Sequence, residues 1–234
     1  LLTIRPLIDA ILEKAMIGEP RNKQQAIGPS EIGSDCEHCV AAKLAGWVQL
    51  EEAAWLPWVG TAMHAYIEPL IENHPDWLAE KRVNVAPGLN GTSDAFHIPS
   101  GTVVDWKLVG KTTLTSAKRG PSSQYRVQAH SYGLGYFRAG YDVKSVAIYY
   151  LPRNEMTLKR GVFWSEEWQP AVALDALARI EAIQAKLASF PTTEARDEYV
   201  TNLPRSSKCF DCSRYHDAPK ASPKTQTLES ILGL

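Results

Sequence analysis

The sequence predicts a mixed α/β (α+β) domain in which a helix, three strands, a second helix and a fourth strand follow one another. Three observations support this prediction: segments with helical spacing or a helix cap, segments rich in β-branched and aromatic residues, and turn residues between the strands. The predicted helices are 60–73 and 123–139, and the predicted strands are 80–85, 92–98, 102–109 and 145–151. A further antiparallel edge strand is predicted over 157–164, so the core extends over about 60–164.

The bulk composition is that of one domain with appendages. With 234 residues and 44% hydrophobic content, the chain 1–234 can supply a sizeable core. No run approaches the roughly 18 uncharged apolar residues of a transmembrane helix, so we expect no membrane partner. No secretory signal is recognisable, and the net charge of −1 does not by itself indicate a nucleic-acid ligand.

The segments around the core are assigned from the same signals. Pro69 lies inside the 60–73 helix and predicts a kink or an earlier end. Ser122 or Ser123 is suited to cap the 123–139 helix. The remaining assignments are a packing helix over 5–17, a loop over 18–34, a short helix over 40–47, a loop over 109–121, a long amphipathic helix over 166–190 and a polar tail over 213–234.

The segment 92–109 predicts a β-hairpin that carries two aspartates. Pro99 suits the second position of a tight turn and Gly101 suits the fourth. If Ile98 opposes Gly101, the pairing places Asp94 opposite Asp105, whereas a bulge at Gly101 would shift this by one residue. Directly opposed side chains have Cβ atoms about 4.5–5.5 Å apart, where like charges repel. The opposed acids therefore predict a cation between them.

Lys107 adds a positive charge to the same face of the hairpin. It follows Asp105 by two positions, and alternate residues of a strand point to the same side. Two carboxylates and an ammonium suit phosphodiester chemistry with a divalent metal, Mg²⁺ or Mn²⁺. An aspartate beside a turn is also common without function, so this pattern needs support from the rest of the chain.

That support comes from a resemblance to a known superfamily. Asp94 followed by Asp105, Trp106 and Lys107 resembles the core motif of the PD-(D/E)xK nuclease superfamily. The resemblance implies a restriction-endonuclease-like αβββαβ core. It also implies that Asp94 and Asp105 bind the metal with a backbone carbonyl near Trp106, and that Lys107 orients the attacking water or stabilises charge on the phosphate.

Two further motifs resemble the RecB-like exonuclease branch, which includes the CRISPR-associated adaptation exonucleases. Gly60 to His64 is similar to its G-x-x-x-H motif, and Gln128 to Tyr132 is similar to its Q-x-x-x-Y motif. The resemblance implies that His64 is a metal ligand and that Gln128 and Tyr132 hold the DNA strand. Glu68 lies one helical turn after His64 and is a further candidate ligand.

The charge distribution is consistent with a nucleic-acid ligand. No acidic residue lies between Asp105 and Asp142. Basic residues in this interval can neutralise phosphates, although a solvated helix face has the same composition. They are Lys107, Lys111, Lys118, Arg119, Arg126 and Arg138.

Two C-x-x-C pairs predict a metal site that joins the two ends of the chain. Four cysteines without a secretory signal favour a tetrahedral Zn²⁺ or an iron–sulfur cluster over disulfides. The resembled branch often carries a [4Fe–4S] cluster, with one cysteine before the core and three after it, whereas this chain has two and two. The four are Cys36, Cys39, Cys209 and Cys212, with His38 and His216 as spare candidates.

The combined prediction is a metal-dependent DNA nuclease. The resemblance favours a single-strand exonuclease that acts on a free DNA end in recombination, repair or phage replication, with a recombination or replication protein as a partner. It also implies a cytoplasmic location in a bacterial, archaeal or phage-infected cell. The alternative is a non-catalytic DNA-binding or scaffold module with a four-cysteine metal site. A redox protein is a third hypothesis, but no flavin or nicotinamide motif supports it.

Overall fold

A computed structural model describes residues 4–18, 26–50, 53–207, 209 and 211–215. These residues form a five-stranded mixed sheet with helices packed against it. No helix in the described ranges is long and apolar enough to cross a bilayer. The elements are α1 (Ile4–Gly18), α2 (Glu37–Leu44), α3 (Trp55–Glu72), β1 (Trp77–Ala86), β2 (Leu89–His97), β3 (Thr102–Val109), α4 (Lys111–Ala117), α5 (Ser123–Arg138), β4 (Ser145–Pro152), β5 (Val162–Glu167), α6 (Pro170–Ala188) and α7 (Thr193–Thr201).

The sheet has the strand order β1-β2-β3-β4-β5. Strands β3 and β4 are parallel, and the other neighbouring pairs are antiparallel. Parallel neighbours need a crossover, and α5 supplies it between β3 and β4. The predicted succession of helix, three strands, helix and strand is confirmed, and β5 adds the predicted antiparallel edge strand.

The hairpin β2–β3 has the predicted register. His97 pairs with Thr102, and Ala95 pairs with Val104, so the turn contains no bulge. The Gly101 N–H donates to the Ile98 carbonyl over 3.2 Å. Gly101 has a φ of 62°, a left-handed value that favours glycine at this turn position.

The hairpin β1–β2 contains an irregularity that the sequence did not predict. Ala86 pairs with Leu89 across the Pro87–Gly88 turn, but between Asn84 and Ala86 the register shifts by one residue. A bulge of this kind moves every residue beyond it to a new partner. It therefore decides which residue of β1 faces Asp94, the acid of β2.

Apolar residues cover both faces of the sheet. On one face α5 packs on the large core; on the other, Ile67 and Ile71 of α3 pack against Trp106. A separate small cluster surrounds Cys36 and Cys39 and joins α2 to α6 and α7. Within it, the Trp47 indole N–H donates to Asp197 Oδ1 over 3.0 Å.

The segment 109–121, predicted to be a loop, contains helix α4. Its sequence is polar except for Leu114 and Ala117, which are buried under the end of the sheet. Burial of these two residues stabilises a helix that is too short and too polar to be recognised from periodicity.

Helix α1 forms as predicted, but the prediction that it packs on the body was wrong within the described residues. Met16 is its buried residue. The side chains of its apolar stripe are exposed instead; they are Ile4, Leu7, Ile8 and Ile11. Apolar spacing predicted the helix correctly but carries no information on what covers it.

Several element boundaries differ from the prediction. Helix α3 begins at Trp55 and continues through Pro69. Strand β5 begins at Val162, because residues before it form a short 3₁₀ turn. Helix α6 begins at Pro170, which suits the first turn of a helix, and α7 follows it where no element was predicted. The tail beyond 215 lies outside the described residues.

Candidate active site

Three potential metal ligands come together where α3 packs on the hairpin β1–β2. One ligand atom each of His64, Glu80 and Asp94 lies within 4.8 Å of the other two. His64 Nδ1 is 3.4 Å from Asp94 Oδ1 and 3.7 Å from Glu80 Oε1. Two carboxylates and an imidazole at this separation form a donor set for a divalent cation.

Glu80 is a site residue that the sequence analysis missed. The register on both sides of Glu80 aligns it with Asp94, but the ladder is interrupted at this pair. Glu80 has a φ of 42°. A residue with a Cβ pays about 1–2 kcal/mol in the left-handed region, and such strain concentrates at functional sites.

Asp94 lies where β2 and β3 diverge. Counted from the turn, the β2–β3 ladder ends at the pair of Ala95 and Val104, so Asp94 is the first residue of β2 beyond it. Asp94 Oδ2 accepts a hydrogen bond of 2.8 Å from the Trp106 backbone N–H. This bond fixes the carboxylate and leaves Oδ1 on the side of His64. Continued by one pair, the register aligns Asp94 with Asp105 as predicted, so acids follow one another across β1, β2 and β3.

Asp105 is the most deeply buried acid of the site, with 1% of its surface exposed. Its Oδ1 accepts a hydrogen bond of 3.0 Å from Lys107 Nζ, and its Oδ2 lies 2.8 Å from the same nitrogen. The second contact is an ion pair without hydrogen-bond geometry, so no hydrogen bond satisfies Oδ2 within the described chain. Buried acceptors rarely lack a hydrogen bond, and here the charge of the Lys107 ammonium compensates Oδ2 instead.

The titratable groups report a strongly negative site. Burial raises the pKa of Asp105 to about 6, and the charge of Asp94 adds to this effect while Lys107 opposes it. Burial alone would lower the pKa of His64, but its hydrogen bonds to Asp94 and Glu80 prevail and raise the pKa to about 9. A metal ion must displace the proton of His64 to bind this nitrogen.

The pKa of Lys107 is raised, although burial opposes the change, because the charges of Asp105 and Asp94 favour the ammonium. Its Nζ also lies 5.0 Å from the centre of the Tyr125 ring, a cation–π distance. The Tyr125 and Tyr150 ring centres are 6.3 Å apart. Lys107 therefore stays protonated, beside an aromatic wall that consists of Tyr125 and Tyr150.

Tyr150 is the buried part of that wall. It pairs with Lys107 across β3 and β4 and is 1% exposed. Burial raises the pKa of its hydroxyl, and the nearby charges of Tyr125 and Asp105 add to the effect, so it stays protonated. The hydroxyl has no hydrogen-bond partner within the described residues. Tyr150 carried no signal in the sequence beyond that of a strand residue.

Gln128 and Tyr132 lie together on α5, which Ser122 caps as predicted. Gln128 Nε2 donates to the Tyr132 hydroxyl over 3.3 Å, and both residues are buried. A Cβ added at Gly91 would lie 2.9 Å from the Tyr132 ring, so this ring supports β2 three residues before Asp94. Their predicted role in holding a DNA strand stays a prediction.

The group of three potential ligands contains Glu80 in addition to His64 and Asp94, and it does not include Glu68, which was a candidate from the sequence. Glu68 is half-buried on α3, one turn after His64. The residues that fit Mg²⁺ or Mn²⁺ are therefore Glu80, Asp94 and His64. Asp105, also predicted to be a ligand, is not part of this group and is paired with Lys107.

The four cysteines form a second potential metal site. Cys36 Sγ lies 3.4 Å from Cys39 and 3.2 Å from Cys212, and Cys39 Sγ lies 3.5 Å from Cys209 and 3.4 Å from Cys212. None of the four is in a disulfide. The predicted joining of the N-terminal and C-terminal segments is confirmed.

The four thiols differ in acidity. Although burial opposes the change, backbone hydrogen bonds at Ser206 and Cys39 lower the pKa of Cys36 to about 7. Burial and the neighbouring thiols raise the pKa of Cys39 well above its usual range, and burial raises the pKa of Cys212 to about 12. A metal would be needed to hold these sulfurs as thiolates together. Of the spare candidates, His38 Nδ1 is 3.9 Å from Cys39 Sγ, and His216 lies outside the described residues.

The sequence matches no protein-family model and no curated protein sequence. Solved structures do match. The alkaline exonuclease LHK-Exo of Laribacter hongkongensis aligns with a TM-score of 0.52 and 12% identity, over 82% of this chain and 95% of its own. This chain has the fold of that exonuclease. LHK-Exo in complex with dAMP aligns with a TM-score of 0.51 and 13% identity, over 81% and 96%.

A phage-related exonuclease from Haemophilus somnus also aligns, with a TM-score of 0.46 and 13% identity, over 74% of this chain and 89% of its own. The exonuclease fold predicted from the resemblance to RecB-like nucleases is thus confirmed by LHK-Exo. At these identities the likeness concerns the fold, and the function must be argued from the site.

Proposed function

We propose that this protein is a metal-dependent deoxyribonuclease whose site is the row of acids Glu80, Asp94 and Asp105. One observation carries the proposal: the carboxylates of Glu80 and Asp94 converge beside the imidazole of His64, and the next strand adds the buried Asp105, which pairs with the Lys107 ammonium. The carboxylates of Glu80 and Asp94 repel each other, and a divalent ion in place of the His64 proton would neutralise both. The exonuclease fold supports the same conclusion.

The residues of the site have distinct tasks in this proposal. Glu80, Asp94 and His64 would hold Mg²⁺ or Mn²⁺, and Asp105 would offer Oδ2, which pairs with Lys107 in the absence of the ion. When bound, the ion supplies Lewis acidity toward the phosphate and an acidified water. Lys107, held cationic by Asp105, would offset the charge that develops on the phosphate. Tyr125 and Tyr150 would limit access of water and so strengthen that interaction.

The finer assignment is an exonuclease. LHK-Exo has been solved in complex with dAMP, a nucleoside monophosphate of the kind that an exonuclease releases. We propose that the present chain also releases mononucleotides from a DNA end, and that the strand entering the site is single. Tyr132, through its contact with Gly91 at the start of β2, would keep Asp94 in place for this strand, and Gln128 would hold the Tyr132 hydroxyl.

For the cysteine site we favour a single tetrahedral ion, Zn²⁺. Sulfurs about 2.3 Å from one tetrahedral ion stand about 3.8 Å from each other. The four Sγ contacts of 3.2–3.5 Å are near this value. In a [4Fe–4S] cluster, which the resemblance to RecB-like nucleases implies, each thiolate binds a different iron and the sulfurs must stand further apart. Visible absorption of anaerobically purified protein would support the cluster and contradict zinc.

The nuclease proposal is tested by cleavage of end-labelled DNA. Single-stranded and blunt duplex substrates are incubated with the protein in Mg²⁺, in Mn²⁺ or in EDTA. We expect metal-dependent release of mononucleotides, abolished by Asp105→Ala. Asp142→Ala, which removes an acid that is 81% exposed, serves as the control and should cleave normally. DNA binding without cleavage in either metal would favour the non-catalytic scaffold module instead.

A further inference from the structure

A group of basic residues, here called the cationic edge, borders the candidate active site. The parallel strands β3 and β4 end at the same edge of the sheet, and the turn 153–161 leads from there into β5. The residues of the cationic edge are Lys111 after β3, Arg153 after β4, and Lys159 and Arg160 in the turn. Because β5 is antiparallel to β4, the whole turn lies at this edge.

The cationic edge begins close to Lys107. The Arg153 N–H donates to the Val109 carbonyl over 2.9 Å. A Cβ added at Gly110 would lie 3.0 Å from Arg153 Nη2, so the guanidinium covers the backbone between β3 and α4. Val109 is two positions after Lys107, about 7 Å along an extended strand. A strand of DNA at Lys107 would bring its neighbouring phosphates to Arg153.

The charges of the cationic edge are available to a ligand. Its four side chains belong to exposed residues, and none forms an ion pair with an acid of the described chain. Other basic residues near the site differ in this respect. Arg126 Nε is 2.5 Å from Glu166 Oε1, and Arg138 Nη1 donates to the Val85 carbonyl. Both side chains are therefore engaged in contacts within the protein.

The turn 153–161 also presents apolar side chains between its cations. Met156 is 101% exposed and Leu158 is 61% exposed. A simple anion offers nothing for these groups to contact. Nucleic acid offers both phosphates for guanidinium and ammonium groups and base surfaces for apolar side chains.

We propose that the cationic edge binds the DNA segment adjacent to the scissile phosphate, with Arg153, Lys159 and Arg160 on phosphates and with Met156 and Leu158 against bases. This proposal rests on the proposed function, because it takes DNA as the substrate. It assigns a DNA contact to the turn 153–161, which the acid-free interval of the sequence does not include.

The test measures DNA binding as a function of salt, independently of cleavage. Full-length protein carrying Asp105→Ala is titrated into fluorescein-labelled single-stranded DNA, and anisotropy gives the binding constant at several salt concentrations. The variant combines Arg153→Ala, Lys159→Ala and Arg160→Ala. Each lost phosphate contact should reduce the slope of log K against log salt by about 0.7, so the three together should reduce it by about 2.

The matched control variant combines Arg5→Ala, Lys14→Ala and Lys144→Ala. It also removes three positive charges, but away from the cationic edge. Arg5 and Lys14 lie on α1, and Lys144 precedes the opposite end of β4, so their slope should equal that of the parent. Met156→Ala with Leu158→Ala should weaken binding and leave the slope unchanged, because no charge is lost. Circular dichroism verifies that each variant is folded.

Equal slopes for the edge variant, the control and the parent would overturn the proposal. If the triple variant were unfolded, Lys159→Ala with Arg160→Ala provides the same test, with an expected reduction of about 1.4. Absence of DNA cleavage by the wild type would refute the nuclease proposal, yet the binding slopes would still decide the role of the edge.

Discussion

Glu80 allows the strain of the site to be measured separately from its chemistry. Glu80→Gly and Glu80→Ala both remove the carboxylate and differ only by a Cβ. In an ordinary strand the glycine variant is less stable by roughly 0.5–1 kcal/mol. At a φ of 42°, however, alanine bears the left-handed penalty of about 1–2 kcal/mol. We therefore expect the order to reverse, with Glu80→Gly more stable by about 0.5–1 kcal/mol.

The assay is urea denaturation of both variants in EDTA, with equal m-values as the condition for comparison. Glu80→Gln, which keeps the shape and loses the charge, adds a titration with Mn²⁺ and should bind it more weakly than the wild type. Glu72→Ala, an exposed acid at the end of α3, is the control for both measurements. A glycine variant less stable than the alanine variant would refute the strain argument, and unchanged Mn²⁺ affinity in Glu80→Gln would remove Glu80 from the ligand set.

Three further predictions concern the same regions. In EDTA, the stability contributed by His64 should be complete below pH 6.5 and lost as the pH rises through 9, because folding raises its pKa. The expected loss in the free energy of unfolding is on the order of 3 kcal/mol. Denaturation experiments on His64→Gln should show no such pH dependence. Tyr150→Phe should raise the free energy of unfolding by about 1 kcal/mol, since it removes an unpaired buried hydroxyl; a decrease would reveal a partner for that group. Removal of metal by a chelator should lower Tm more in the wild type than in a variant with Cys36→Ala and Cys39→Ala, which keeps only the site at His64, Glu80 and Asp94; equal shifts would contradict a structural cysteine site.

The hairpin β2–β3 was predictable because local chemistry determines its register. Pro99 and Gly101 fit a turn without a bulge, so counting from the turn aligned Asp94 with Asp105 correctly. Glu80 was not predictable in this way. Counting from the Pro87–Gly88 turn without a bulge would pair Glu80 with Ala95. The register shift between Asn84 and Ala86 brings it to Asp94, and no residue pattern signals that shift.

The environment of the site depends on contacts between distant segments, which a single sequence does not specify. Tyr150 reaches Lys107 only because β4 returns parallel to β3 after α5. Arg126 was counted among the DNA-binding cations, but it pairs with Glu166, forty positions later. Arg153 lay outside the acid-free interval, and the fold brings it to Gly110. The tertiary contacts, and not the local density of charge in the sequence, thus determine which basic residues lie unpaired near the site.

Crystals soaked in Mn²⁺ and measured near the manganese absorption edge test the central claim most directly. The account predicts an anomalous peak in the pocket bounded by His64, Glu80, Asp94 and Asp105, within about 2–2.5 Å of carboxylate oxygens, and its loss in crystals of Asp94→Asn. An empty pocket at saturating Mn²⁺, with these acids intact and accessible, would contradict a metal-dependent nuclease site on this sheet.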